Sequence, residues 1–146
     1  MKVGIASDHG GFRLKEALKR RLFEMGHEVV DFGCSNETSC DYPDFAMIGA
    51  RALSSGEVDR CVLVCGTGIG MSMAANRIKG VRAALCNDSY SAEMARRHND
   101  ANCLALGQRV IGEGLAMRIL EIFLTTPFDG GRHQIRVSKI MALDEK

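Results

Sequence analysis

No stretch of this 146-residue sequence stays apolar for the roughly 18 to 20 residues that a membrane-crossing helix needs. Nor is there an excess of either charge: 19 Lys and Arg stand against 18 Asp and Glu, a formal net charge of +1. That balance argues against a general nucleic-acid or polybasic membrane binder, although local clusters can still hold anions. Proline occurs only twice, and no repeat, long linker or biased tract is present. With 46% hydrophobic and 25% charged residues, the composition excludes disordered and collagenous chains and fits an ordinary globular protein. Met1 to Ile5 runs straight into a strand pattern with no signal-peptide apolar region, so the expected address is the cytoplasm. The length and the lack of a break predict one domain spanning residues 1–146.

Cysteine is present six times, but neither Cys-x-x-Cys nor any Cys/His spacing typical of zinc occurs, and no metal site is expected. Cys61, Cys86 and Cys103 sit in or beside apolar runs, where cysteine is usually a small buried hydrophobe. Cys34 and Cys40 fall in a polar loop. Cys65 differs by its position.

Apolar runs at Val3–Ala6, Val29–Phe32, Cys61–Cys65, Val81–Cys86 and Cys103–Gly107 predict five short strands. Helical spacing separates them: Phe12–Phe23, a segment from about Asp41 to Leu53, Met71–Ile78, a segment from Asp88 or Ser89 to about His98, and Ile111–Leu124. Asp41 is a plausible cap with Pro43 in the first turn, and a last helix after Gly131 carries Arg132, Arg136, Ile140 and Leu143. Met71 and Met73 read as core or helix packing. Alternation of this kind predicts an α/β fold: a Rossmann-like three-layer α/β/α sandwich around a five-stranded parallel sheet. Such sheets bind ligands outside the carboxyl ends of their strands. There stand Asp8-His9-Gly10-Gly11, Cys65-Gly66-Thr67-Gly68-Ile69-Gly70 and Gly107-Gln108-Arg109.

The glycines of the second segment let the backbone turn tightly and present N–H groups at a helix start, an anion hole. It is not a P-loop, because Met71-Ser72 stands where Lys-Ser/Thr would follow, and Gly-x-Gly-x-Gly is a poor dinucleotide fingerprint. A thiol at Cys65, beside these amides and a helix N-terminus, is drawn toward its thiolate form. It can then act as nucleophile or as a base toward a carbon-bound proton, and the amides can hold the resulting oxyanion. A further buried cysteine is the competing reading. Arg132 and Arg136, spaced i, i+4, can clamp a phosphate bidentately, although a solvated face of ordinary ion pairs explains them as well. His98, near a helix end, is equally ambiguous by itself.

Taken together, the ordered segments Ser7-Asp8-His9-Gly10-Gly11-Phe12, 41–46 (Asp-Tyr-Pro-Asp-Phe-Ala), 65–72 (Cys-Gly-Thr-Gly-Ile-Gly-Met-Ser), 74–77 (Ala-Ala-Asn-Arg), 97–102 (Arg-His-Asn-Asp-Ala-Asn), 107–112 (Gly-Gln-Arg-Val-Ile-Gly) and 130–136 (Gly-Gly-Arg-His-Gln-Ile-Arg) resemble the B-type ribose-5-phosphate isomerases. These belong to the sugar-phosphate isomerase family that also includes galactose- and allose-phosphate isomerases. The resemblance spans nearly the whole chain. It implies a homodimer whose sites combine both subunits, and leaves open whether dimers pair into tetramers. It implies no metal or organic cofactor, and aldose–ketose isomerisation of D-ribose 5-phosphate and D-ribulose 5-phosphate through an enediolate.

Carried over by position, Cys65 would be the base, with amides from Gly66, Gly68 and Gly70 to Ser72 holding the enediolate oxygens and Asn76 supporting that loop. Asp8 and Thr67 would relay protons near the sugar hydroxyls, and His98 would help open the furanose ring. Tyr42 and Asn99 would line the pocket. His9, Arg132 and Arg136 would grip the phosphate, joined by Arg109 from the partner subunit. The nearest alternative is the same chemistry on a six-carbon sugar phosphate such as allose 6-phosphate or galactose 6-phosphate. Behind it stand a non-catalytic sugar-phosphate-binding module and, weaker, a dinucleotide-dependent oxidoreductase.

Overall fold

A computed structural model describes residues 1–145 of the chain. Five strands, β1 (Lys2–Ser7), β2 (Glu28–Asp31), β3 (Arg60–Cys65), β4 (Ala83–Leu85) and β5 (Cys103–Gly107), form one all-parallel sheet in the order β2-β1-β3-β5-β4. Six helices accompany them: α1 (Phe12–Glu24), α2 (Tyr42–Ser54), α3 (Ile69–Ala75), α4 (Ser89–Asn99), α5 (Glu113–Thr125) and α6 (Arg132–Met141). The expected α/β architecture is therefore present.

β3 and β5 lie side by side in the interior and are almost wholly buried, because each strand has a partner on both edges and helices over both faces. Their alternating side chains divide the apolar interior into two cores. Val62, Val64, Leu104 and Leu106 meet Leu14, Leu18 and Leu22 of α1, Ala92 and Ala95 of α4, and Ile119, Leu120 and Phe123 of α5. Cys61, Leu63, Cys65, Cys103 and Ala105 face the other way, against Ala46 and Ala50 of α2 and Met71 and Ala75 of α3. Full burial of one such Leu or Phe side chain is worth about 1.5–3 kcal/mol. Small residues dominate the second core, so α2 and α3 sit close on the sheet and bring their N-termini to its carboxyl edge.

Several local features differ from the sequence reading. β4 is three residues, Ala83–Leu85, rather than Val81–Cys86, since it is an edge strand with β5 as its one neighbour. Helix α3 starts at Ile69, directly on the glycine turn, and stops at Ala75 rather than Ile78. Leu143 lies beyond α6 in a 3-10 turn, Ala142–Glu145. Asp41 occupies the N-cap of α2 without a side-chain cap bond, whereas Asp88 does cap α4, accepting from the Ser91 amide at 2.6 Å. Cys34 is buried despite its polar surroundings, its thiol donating to the Asn36 carbonyl at 3.2 Å. Met71 is in the core, but Met73 is 67% exposed.

Two topological breaks fix where a ligand can enter. The chain leaves β1 toward α1 and leaves β3 toward α3, and these helices pack on opposite faces of the sheet. The same divergence separates β3 from β5 and its helix α5. The carboxyl end of β3 is consequently a point where the connections diverge to opposite faces of the sheet.

Candidate active site

Cys65 ends β3, opposite Gly107 of β5, with 5% of its surface exposed. Its Sγ accepts the Gly68 N–H at 3.0 Å. That bond closes the turn Cys65-Gly66-Thr67-Gly68, in which Gly68 has φ +78°, left-handed backbone that favours glycine. A methyl group on Gly68 would also fall 2.9 Å from the Leu106 carbonyl carbon and 2.5 Å from Leu85 Cδ1. The sulfur thus lies under an amide at the head of α3. Thr67 Oγ1 accepts the Ile69 N–H at 3.2 Å, and Ser72 Oγ donates to the Ile69 carbonyl at 2.8 Å.

Main-chain bonds tie the neighbouring strand ends to this turn. Asp8 N–H donates to the Val64 carbonyl at 3.2 Å, Gln108 N–H to Cys65 at 2.9 Å and Arg109 N–H to Gly66 at 3.0 Å. Asp8 is 7% exposed, and its carboxylate accepts the Gly11 N–H at 3.2 Å. Gln108, given no role by the sequence reading, receives the Leu14 amide at 2.9 Å and so fixes α1 against the β5 end. A glutamine beside a glycine in a loop carries no signal of such a contact.

Other side chains gather at the same edge. The Tyr42 ring lies against Gly70, only 2.6 Å from where a Cβ would stand there. Arg109, expected from the partner subunit, holds its guanidinium over Gly10 and Gly66 of its own chain: Nη1 is 3.2 Å from a Cβ built on Gly66. His9 Nδ1 accepts the Cys40 N–H at 3.2 Å. The neutral ring must then carry its proton on Nε2. Asp8, His9, Tyr42, Thr67, Gly66, Gly68, Gly70, Ser72 and Arg109 therefore surround Cys65 or its loop.

His98, Asn99, Arg132 and Arg136 form a second group, on α4 and α6. The His98 ring stacks on His133 with centroids 4.2 Å apart and planes 5° apart. Burial, together with the charges of His98, Arg132 and Arg136, pushes the His133 imidazole below its ordinary range. Asn99 faces a cavity of about 440 Å³ shared with Asn76, Ala83, Ile140 and Met141. Among the described residues, no hydrogen bond or ion pair joins this group to the Cys65 turn. Asn76 works differently from its expected role. Its side-chain amide donates to the Ala83 carbonyl at 2.9 Å and accepts the Ala83 N–H at 2.8 Å, pinning β4 rather than the glycine loop.

Residues 3–140 match the ribose/galactose isomerase family. The chain belongs to that family. It is 45% identical over 145 residues to the ribose-5-phosphate isomerase B of Escherichia coli, covering 99% of this chain and 97% of that one. It is 54% identical to a putative sugar phosphate isomerase of Bacillus subtilis, covering 100% and 99%. Among solved structures, the ribose-5-phosphate isomerase B of Clostridium thermocellum superposes with a TM-score of 0.98 at 52% identity, covering 99% and 98%. The family, the recognised resemblance and the fold expected from it agree.

Proposed function

We propose that this member of the ribose/galactose isomerase family interconverts D-ribose 5-phosphate and D-ribulose 5-phosphate, with Cys65 as the general base. The observation that carries the reading is the Cys65 sulfur held under the Gly68 amide, at the carboxyl end of the central strand. The printed identities of the Escherichia coli and Clostridium thermocellum relatives, both ribose-5-phosphate isomerase B, support the five-carbon substrate. Residues 1–146 then form one sugar-phosphate isomerase domain.

In the open-chain aldose, the thiolate removes the proton from C2. The C–H electron pair forms the C1=C2 bond, and the C1 oxygen becomes the enediolate oxyanion, met by amides between Gly66 and Ser72. Return of the proton to C1, with transfer of the O2 proton to O1, gives the ketose. Thr67 within the turn and Asp8 beside it serve to move the hydroxyl protons. The electrons stay within the sugar throughout, so the reaction asks for no redox cofactor. The phosphate supplies binding energy remote from the reacting carbons and orients them.

His9 offers an Nε2–H donor for that phosphate, and the guanidiniums of Arg109, Arg132 and Arg136 supply the bidentate partners. His98 opens the furanose ring. Because His98, Asn99, Arg132 and Arg136 form a group of their own, a complete site joins the Cys65 group of one protomer to this second group of its partner. The exposed Ile69 and Met73 of α3, with Ile135 and Ile140 of α6 and Leu143 beyond it, supply an apolar face for that homodimer. Among the described residues no helix is long and apolar enough to cross a membrane. Residence in the cytoplasm is proposed on the substrate class, a free sugar phosphate.

A coupled assay on ribose 5-phosphate, repeated with allose 6-phosphate, tests the substrate. A kcat/KM advantage for the pentose is expected; a large advantage for the hexose overturns it. The Cys65→Ala variant should lose about 10²–10⁴-fold in kcat while still binding a sugar phosphate, and normal turnover by that variant would remove the thiol base.

A further inference from the structure

At the outer end of the α4–α6 pair, three side chains converge that the isomerase reading does not explain as a set: His98 at the end of α4, Asp129 in the segment before α6, and His133 in the first turn of α6. One donor atom from each lies within 4.8 Å of both others. We propose that His98, Asp129 and His133 form a binding site for a divalent transition-metal ion of the zinc type, and that the bound ion inhibits the enzyme by occupying His98.

Two imidazoles and one carboxylate match zinc, which takes three protein ligands and a water in open tetrahedral sites. Magnesium and calcium select oxygen ligands and are not served by this set. In a tetrahedron with arms of about 2.1 Å the donors stand about 3.4 Å apart, so the three atoms must close by little more than 1 Å. The stacked rings, with planes 5° apart, do not yet aim their in-plane lone pairs at one point. One ring has to turn, and the Cβ–ring torsion of histidine is broad enough to allow it at low cost.

Asp129 can contribute without stranding its present partner. Both its oxygens accept from Arg97 Nε at 3.2 Å, and Arg97 keeps a second ion pair to Glu93 at 3.1 Å. Each carboxylate oxygen also has a further lone pair free for a metal. Arg132 and Arg136, near His133, oppose a cation and set the affinity below that of a dedicated structural zinc site. A site of this kind responds to metal concentration instead of being permanently filled.

Metal binding here is independent of the proposed reaction, whereas inhibition rests on His98 acting on the sugar. The test therefore measures the two separately. Purified protein is titrated calorimetrically with zinc chloride, and in parallel with cobalt(II), whose visible bands report coordination. The expected result is one ion per chain and a tetrahedral cobalt spectrum without the near-ultraviolet charge-transfer band of a thiolate ligand. Asp129→Ala and His133→Ala should each weaken zinc binding about tenfold or more. Cys40→Ser should not.

In the turnover assay, zinc should inhibit the unsubstituted enzyme, while Asp129→Ala keeps its metal-free activity and loses the sensitivity. Unchanged zinc affinity in both variants, or a thiolate band in the cobalt spectrum, overturns the site. Binding with the expected ligands but without inhibition overturns the role of His98 as the inhibited group. Absence of isomerase activity in metal-free protein would instead count against the proposed reaction.

Discussion

At Gly68, one residue controls both the backbone and the placement of the Cys65 sulfur. Its amide is the donor that Cys65 receives, and its φ of +78° keeps the turn tight enough to deliver that donor. A methyl group there meets backbone on one side and Leu85 on the other. Gly68→Ala is therefore expected to destabilise the fold by about 1–3 kcal/mol, measured by urea unfolding. Because relief of the clash displaces the amide from the sulfur, kcat should fall by more than KM changes. A variant with native stability and native kcat would show that the turn has another way to hold the thiol. The glycine pattern and the position of Cys65 at a strand end were readable in the sequence because both depend on local chain geometry. Gln108, Asn76 and His133 were not. Their contacts are made across 94, 7 and 35 positions of chain respectively, with Leu14, Ala83 and His98, and polar side chains announce no partner in advance.

Helix α1 is held by its apolar stripe and by one ionic knot. Lys15, 1% exposed, donates to both oxygens of Asp31 on β2 at 2.8 and 2.9 Å, and Lys19 adds a third bond at 2.7 Å. Burial alone would raise the Asp31 carboxyl above its ordinary value of 3.8, but the bonds from Lys15, Lys19 and the Gly33 amide outweigh it and hold the group below that value. A carboxylate whose folded pKa is depressed contributes stability that is present above the unfolded pKa and disappears as pH falls through the folded one. Asp31→Asn should then cost roughly 1–3 kcal/mol at neutral pH, since Lys15 keeps only Glu16 as counter-charge. Unfolding curves of the two proteins should converge below pH 3.8, and a gap that persists at lower pH would place the loss in packing instead. On the apolar side, Leu120→Ala in α5 removes a fully buried side chain and is expected to cost about 2–5 kcal/mol in thermal or urea unfolding. Element type was legible where burial and periodicity agree, as in β3 and α1. Element ends were less so, because β4 ends where it parts from β5, which goes on pairing with β3 to Gly107, and α3 ends where Asn76 turns to Ala83, both decided by tertiary contacts.

Across the whole molecule, the strand order places the candidate residues in two groups that the sequence alone presents as one ordered set. Asp8, Thr67 and Cys65 follow from β1 and β3 in the middle of the sheet, while His98, Arg132 and Arg136 follow from α4 and α6 beyond its β4 edge. A single chain can bury its core in this arrangement, but it divides the groups that the proposed reaction would use. The proposed pairing of two chains about a two-fold axis would bring each group to the complement of the other, twice over, without altering either fold. The exposed side chains Ile69, Met73, Ile135, Ile140 and Leu143 belong to the elements that such pairing would cover. Complementation between inactive proteins distinguishes this from a site completed within one chain. When Cys65→Ala and His98→Ala proteins exchange subunits, a mixed dimer with shared sites has one site carrying both defects and one carrying neither. Random re-pairing should then restore about a quarter of the unsubstituted activity, whereas each protein alone stays inactive. If both residues act within one chain, every site in the mixture keeps a defect, and no activity returns even though mass spectrometry shows that exchange has occurred.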